Sequence, residues 1–338
     1  MSFEYRHGWV PVQFIIKSGE ISFRWMDFSS VDIAEPFFRQ TVKKMVTLGN
    51  KTETSTVQDL IRIGSSLAPI RPACLIFHVS RCGSTLLTNA LRGSRNCVAL
   101  SEPKIITDLF HFCPELPSPV QELKDSILQS VMNLYAAYQG TQQNIVIKLA
   151  SWNLLNLHAF RRVWPETPCI LLIRDPREVI ISNLKPGGWL AFRSDPTCAS
   201  RLLERGEMEV AQMSDIEFCA CVIQRLMDGA LAGIDSKWMV IDYNAFDADL
   251  MPVILEFIGF NKLTVDWNAV QSAFRVYSKD ENGIAVFEDD RAAKRSLADQ
   301  LMTGSAGELS TASYSSLLRL AVAKPSAAGS EAKLGLMT

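Results

Sequence analysis

Five short apolar runs set the reading frame of this chain. They are "CLIFHV" (74–79), "CVAL" (97–100), "NIVIKL" (144–149), "CILLI" (169–173) and "WMVI" (238–241). Each is continuous rather than alternating, the pattern of a parallel strand buried on both faces. Stretches with helical spacing separate them, around 84–92, 120–139, 152–163, 176–184 and 199–233. Strand alternating with helix predicts an α/β fold, a parallel sheet of about five strands wrapped by helices in three layers. In such sheets ligands bind beyond the carboxyl ends of the strands, so the residues just after each run are the place to look for chemistry.

The flanks read differently. "VPVQFIIKSGEISFRWMDF" (10–28) predicts two strands around a Ser18-Gly19 turn. "AEPFFRQTVKKMV" predicts a helix with Phe37, Phe38, Val42 and Met45 on one face. Residues 1–70 are therefore expected to form a small α+β appendage whose one functional prospect is to cover a pocket. After about residue 300 the chain turns rich in Ser, Ala and Gly, which predicts a flexible tail over 301–338, with "SLLRLAVA" as a short helix able to dock. Residues 71–300 form the main domain.

Composition narrows the function. The chain has 338 residues, 48% apolar and 21% charged, with 34 Lys and Arg against 36 Asp and Glu. A net charge of −2 argues against a general nucleic-acid binder, so an anionic ligand has to be held by a few local cations. No run of about 18 apolar residues exists to span a membrane. The first residues lack a signal-peptide pattern, and the eight cysteines form no CxxC pair, so they read as free thiols in a reducing, cytoplasmic setting. Four scattered histidines form no zinc pattern, and no metal site is expected.

The first strand runs into "HVSRCGSTLL" (78–87). Unpaired N–H groups and the dipole at the start of the following helix favour an anion. Gly83 lets a ligand approach the backbone, Arg81 offers a forked cation, and Ser84 and Thr85 offer hydroxyls. The bland alternative is a helix capped by Ser84. The triphosphate loop GxxxxGK[ST] is not matched, because Ser84 follows Gly83, and a Cys-x5-Arg phosphatase loop fails because Thr88 stands six after Cys82. The fourth strand ends in "IRDPREVIISNL" (173–184). Asp175 is placed to cap the next helix, Pro176 to fill its first position and Glu178 to complete a capping box, leaving Arg174 at the ligand edge. Arg177 reads as ambiguous, a solvated helix residue or a ligand contact.

The first of these loops resembles the 5′-phosphosulfate loop of the sulfotransferases that use 3′-phosphoadenosine 5′-phosphosulfate (PAPS). The resemblance covers about 71–300. It implies a P-loop-type fold and a transfer of the sulfuryl group to a hydroxyl or amine by in-line displacement, without a metal. It implies that Arg81, Cys82, Gly83, Ser84, Thr85 and Leu86 hold the 5′-phosphosulfate, and that Arg174 and Ser182 hold the 3′-phosphate. "VIDYNAFDADLMPVILEFIGF" (240–260) is similar to a further family stretch and places Tyr243 against the nucleotide, although a strand-end Tyr is also common packing. Many cytosolic members carry a base His two residues after a strand-end Lys, whereas here Lys148 is followed at that distance by Ala150. Branches acting on protein tyrosines or sugars use a Glu after the second strand, and "CVALSEPKII" (97–106) puts Glu102 there. Glu102 is thus the expected base, with Lys148 on a sulfate oxygen and His158 as the reserve. The bland reading of Glu102 is a first-turn glutamate capped by Ser101. Ser278, Lys279, Lys294 and Arg295 in the late polar segment are candidates to close over the nucleotide.

The expected acceptor is a small molecule, carbohydrate or peptide, selected by loops such as "KPGGWLAFRSDPTCAS" (185–200) and by the appendage. Two other readings stand beside this one: a kinase-like phosphotransferase using Asp242 on magnesium, and a non-catalytic nucleotide-binding module.

Overall fold

The computed structural model describes residues 3–17, 20–94, 97–110, 118–138, 144–185, 188–280, 290–302 and 311–322; the Ser18-Gly19 turn lies outside them. β1 (Trp9–Lys17) and β2 (Glu20–Asp27) pair antiparallel. After α1 (Phe38–Thr47), β3 (Thr52–Thr56) adds to the other edge of β2, and α2 (Val57–Ser65) follows. β3 reads "TETST", with no apolar alternation to announce it.

The second sheet carries the candidate site. It contains β4 (Cys74–His78), β5 (Cys97–Ser101), β6 (Asn144–Lys148), β7 (Cys169–Ile173) and β8 (Trp238–Asp242), in the order β5-β6-β4-β7-β8. All its pairings are parallel. β4, β7 and β8 are buried at every position, which is why they appear as unbroken apolar runs. Strand order reverses beside β4, and in sheets of this kind the ligand crevice lies at the carboxyl ends beside such a switch point.

Helices cover both faces: α3 (Ser84–Leu91), α4 (Lys104–Leu109), α5 (Ser118–Ala137), α6 (Leu157–Val163) and α7 (Pro176–Asn183). The block 199–233 is not one helix. It is α8 (Pro196–Leu203), α9 (Glu207–Gln212) and α10 (Asp215–Gly233). Glu204 in the left-handed region ends α8, and Ser214 with Glu217 forms a reciprocal cap that starts α10. Beyond β8 come α11 (Met251–Phe257), α12 (Trp267–Arg275) and α13 (Arg291–Leu301). A last helix, Thr311–Leu320, docks through buried Leu317, and Val322 N–H donates to the Val240 carbonyl.

The N-terminal sheet and the main sheet share one continuous apolar core. α5 is the seam between them. Tyr135 Oη donates to the Pro11 carbonyl at 2.8 Å, and Asn133 Nδ2 donates to the Gly64 carbonyl at 2.9 Å. Gly64 permits that contact, since a Cβ there would lie 2.3 Å from Ser130 Cβ. No helix among the described residues is long and apolar enough to cross a membrane. The described cysteines are free thiols, buried or half-buried.

Candidate active site

The turn after β4 is wound by three left-handed residues: Ser80 (φ 70°), Arg81 (φ 52°) and Gly83 (φ 84°). Such angles are unusual for Ser and Arg, and a cluster of them marks a turn whose shape the surroundings impose. Gly83, not Ser84, occupies the N-cap of α3, so the start of this helix has no side-chain cap. Ser84 and Thr85 are buried in its first turn. Gly83 is required twice over, by its φ and because a Cβ would meet the Tyr243 ring at 3.0 Å. Leu86 is half-buried, and Cys82 is fully buried, with its thiol pushed up to about 11 by loss of solvent. Cys82 Sγ donates to the Leu172 carbonyl at 3.3 Å, which makes it a packing residue of the turn.

Beside the turn lies an ion-pair cluster. Lys148, 1% exposed, places Nζ 2.9 Å from Glu102 Oε1 and 3.2 Å from Thr85 Oγ1. Glu102 does not sit in a first turn capped by Ser101. Pro103 is the N-cap of α4, and Glu102 precedes it at φ 52°. Its N–H donates to the Lys148 carbonyl at 2.8 Å, continuing the β5–β6 ladder by one bond. The left-handed backbone then turns the carboxylate back over the ends of the strands. Its side chain is 28% exposed, and among the described residues Oε2 accepts no hydrogen bond. Burial alone would raise the Glu102 pKa, but the Lys148 charge and His78 outweigh it and hold it well below the usual carboxylate range.

His78, the last residue of β4, was read from sequence only as part of a core strand. Its Nδ1 accepts from Ser80 N–H at 3.0 Å, which leaves the proton of the neutral ring on Nε2. Nε2 lies 3.6 Å from Glu102 Oε1. Burial, and then the Lys148 charge, keep the ring neutral at pH 7, with its pKa below the ordinary value despite Glu102. Lys279 belongs to the same cluster: loss of solvent, with Arg81 and Lys148 nearby, brings its pKa down to about 8. Asn89 Nδ2 donates to the Ser278 carbonyl at 3.0 Å and fastens this segment to α3. His158 is elsewhere. It is exposed on α6 and lines a groove of about 600 Å³ with Leu203, Gln224 and Gly233, away from Glu102.

A second cationic group stands at the end of β7. Asp175 caps α7 by accepting from Arg177 N–H at 3.0 Å, and Pro176 fills the first position. Glu178 does not complete the cap. It is fully buried and reaches back one turn to Arg174, Oε2 accepting from Nε at 2.7 Å, while Oε1 accepts from Arg295 Nε at 2.6 Å. A buried guanidinium needs a counter-charge more than the helix start needs a second cap. Arg174 also donates from Nη1 to the Arg81 carbonyl at 2.9 Å, which links the two turns. Its Cζ lies 4.1 Å from the centroid of the Tyr243 ring. Tyr243 therefore touches both turns, over Gly83 and against Arg174. Ser182 is 5% exposed, and its Oγ has no hydrogen-bond partner in the described structure. α13 brings Lys294 to this group, where Asp290 lies between two cations, Oδ2 2.7 Å from Lys294 Nζ and Oδ1 3.7 Å from Arg174 Nη2. Arg177 pairs with Asp175 and Asp299 on the outside.

The structure thus brings Arg81, Ser84, Thr85, Lys148, Glu102 and Lys279 to one side of the crevice, and Arg174, Tyr243 and Lys294 to the other. Asp242 is engaged behind them, accepting from Tyr314 Oη at 3.1 Å. No family model matches the chain, and no curated protein matches it. Among solved structures, a sulfotransferase domain from the curacin biosynthetic pathway is similar over 73% of this chain and 99% of its own, at 14% identity and a TM-score of 0.43. A sulfotransferase from Alicyclobacillus acidocaldarius is similar over 75% and 98%, at 14% identity and 0.39. One from Mycobacterium avium is similar over 80% and 83%, at 12% identity and 0.41.

Proposed function

We propose that the protein is a sulfotransferase that moves the sulfuryl group of PAPS to a hydroxyl or amine of an acceptor. The observation that carries this is the pair of cationic turns bridged by Tyr243, with a carboxylate–ammonium pair beyond the first turn. One turn suits a 5′-phosphosulfate and the other a 3′-phosphate, the two anionic ends of a single nucleotide. Ser182 supports the second assignment, since a buried hydroxyl without a partner among the described residues is one that a ligand can satisfy. So does Asp290, a carboxylate lying where Arg174 and Lys294 converge.

PAPS, when bound, supplies the sulfuryl group and a bisphosphate leaving group. Arg81 and the first N–H groups of α3 hold the 5′ end and stabilise the charge that grows there as the bond to sulfur breaks. Arg174, Ser182 and Lys294 hold the 3′-phosphate. Lys148 has one N–H beyond those directed at Glu102 and Thr85, and it neutralises sulfuryl oxygen. Glu102, ionised throughout the neutral range, takes the acceptor proton on Oε2. His78 is a positioning residue that packs beside the carboxylate, its Nε2 3.6 Å from Oε1 and without a hydrogen-bond partner among the described residues.

Calorimetry in a chelator tests the reading, with 3′-phosphoadenosine 5′-phosphate (PAP) against adenosine 5′-phosphate. PAP should bind more tightly by about 1.5–3 kcal/mol, the worth of a charged hydrogen bond, and Arg174→Ala should erase the difference. Equal affinities in the unmodified protein would rule out a 3′-phosphate site. Labelled PAPS offered with a panel of acceptors then separates an enzyme from a module that only binds.

A further inference from the structure

Lys148 is 1% exposed although it stands at the open end of the sheet. The cover comes from the N-terminal region: the Phe37 ring centroid lies 4.5 Å from Lys148 Nζ. Phe37 was expected on the apolar face of α1. It occupies the N-cap instead, in an extended conformation, and is only half-buried. Its position is fixed from several directions. Gln40 Oε1 accepts from Phe37 N–H at 2.8 Å, and Thr41 Oγ1 donates to Glu35 Oε2 at 2.7 Å. Arg92, at the end of α3, donates to the Ala34 carbonyl at 3.3 Å and to the Glu35 carbonyl at 2.8 Å. The same guanidinium donates to the Ala99 carbonyl of β5 at 3.2 Å. The loop carrying Phe37 is thereby tied both to the helix of the anion turn and to the strand of Glu102.

Sheet order decides which ligand meets Phe37. Arg174 and Tyr243 lie at the ends of β7 and β8, on one side of β4; Lys148 and Glu102 lie at the ends of β6 and β5, on the other. In the sulfotransferase reading the 3′ end of the nucleotide lies on the first side and its 5′ end at the turn after β4, so the space beyond that turn, over Lys148 and Glu102, is left to the acceptor. We propose that Phe37 is the wall of the acceptor subsite. It keeps water off the Lys148–Glu102 pair, and the acceptor enters against its ring. A side chain in that place strengthens every charge interaction behind it by excluding solvent. The inference rests on the sulfotransferase reading for its assignment to the acceptor side, but the covering of Lys148 is tested without turnover.

The test is reductive methylation with formaldehyde and borohydride, read residue by residue by mass spectrometry, with exposed Lys43 on α1 as the internal standard. In the unmodified protein Lys148 should stay unlabelled while Lys43 reacts. In Phe37→Ala, Lys148 should label at a rate approaching that of Lys43, and saturating PAP should leave that labelling in place, because PAP carries no sulfuryl group to reach Nζ. Phe37→Val decides the matter if the alanine variant does not fold by circular dichroism: faster labelling supports the proposal, and an unchanged rate overturns it. Lys148 protected as before in a folded Phe37→Ala protein shows that Phe37 is not the cover. Labelling abolished by PAP places Phe37 on the nucleotide side and overturns the acceptor assignment. Absence of any PAP binding sinks the sulfotransferase reading and the acceptor assignment with it, while the methylation rates still report the cover.

Discussion

Replacing Glu102 by Gln separates three consequences that a stability role alone does not. The swap keeps the shape and removes one negative charge 2.9 Å from Lys148 Nζ. Turnover should fall by about 10², the lower end of the worth of a positioned general base, because a carboxylate held below its usual pKa accepts a proton weakly. Nucleotide affinity should move the other way. Lys148 is neutralised by Glu102 in the resting protein, so the variant presents one more uncompensated positive charge to an anion. At ~6 Å and an effective dielectric of ~20, that charge attracts an anion by about 3 kcal/mol. Solvent at the 28%-exposed carboxyl screens this to about 1–2 kcal/mol, a five- to thirty-fold gain in PAP affinity. The Gln carbonyl still accepts from Lys148, so the folded state should lose about 1–3 kcal/mol rather than the full cost of a stranded buried ammonium. The carboxylate pKa is depressed in the folded state. Its stabilisation is therefore complete above the unfolded value of about 4.3 and is lost only as pH falls through the folded value. Above about pH 5.5 the difference in stability between the two proteins should not vary with pH. Calorimetry, steady-state turnover on a genuine acceptor and denaturant unfolding read the three effects. Turnover within a fewfold of the unmodified enzyme would refute the base assignment. Weaker PAP binding would refute the charge arrangement.

Asp290→Asn removes a half-exposed carboxylate that competes for Arg174 and Lys294; PAP should bind about fivefold more tightly, with stability changed by less than ~1 kcal/mol, as measured by calorimetry and denaturant unfolding. Lys279 has a folded pKa of about 8, below its unfolded value of about 10.4, so stability should rise with pH across that window as the folded state sheds the proton first. PAP affinity should fall about tenfold as pH passes 8 and that cation is lost, and Lys279→Met should flatten the pH profile in calorimetry.

The parallel sheet was legible because burial on both faces writes each strand as an apolar run, and the two turns were legible because their residues follow those runs directly. What the apolar pattern hid was polar. β3 is an edge strand made of Thr, Glu and Ser. The block 199–233 looked continuous because the breaks at Gly206 and Ser214 are short, although "SDIE" (214–217) carries the signature of a new helix start. Glu178 was assigned to a cap from local spacing, yet it is four residues after Arg174, and a buried Arg one turn away is the stronger demand. His78 and Phe37 were read as core positions of a strand and a helix. Each stands at the end of its element, where a side chain is free to turn from the core toward the crevice.

The helix Thr311–Leu320 has a bearing on how this molecule is made. Tyr314 holds Asp242, and the next residue is Tyr243, the ring that lies against both cationic turns. Val322 adds a backbone bond to β8 from the far side. During synthesis the ribosome releases the chain from the N-terminus, so Phe37 and the first turn are out long before this clamp. The two cationic turns are therefore braced only after the chain has been made past residue 322. A nascent chain halted before residue 311 would carry the cationic turns without the support that sets Tyr243 between them.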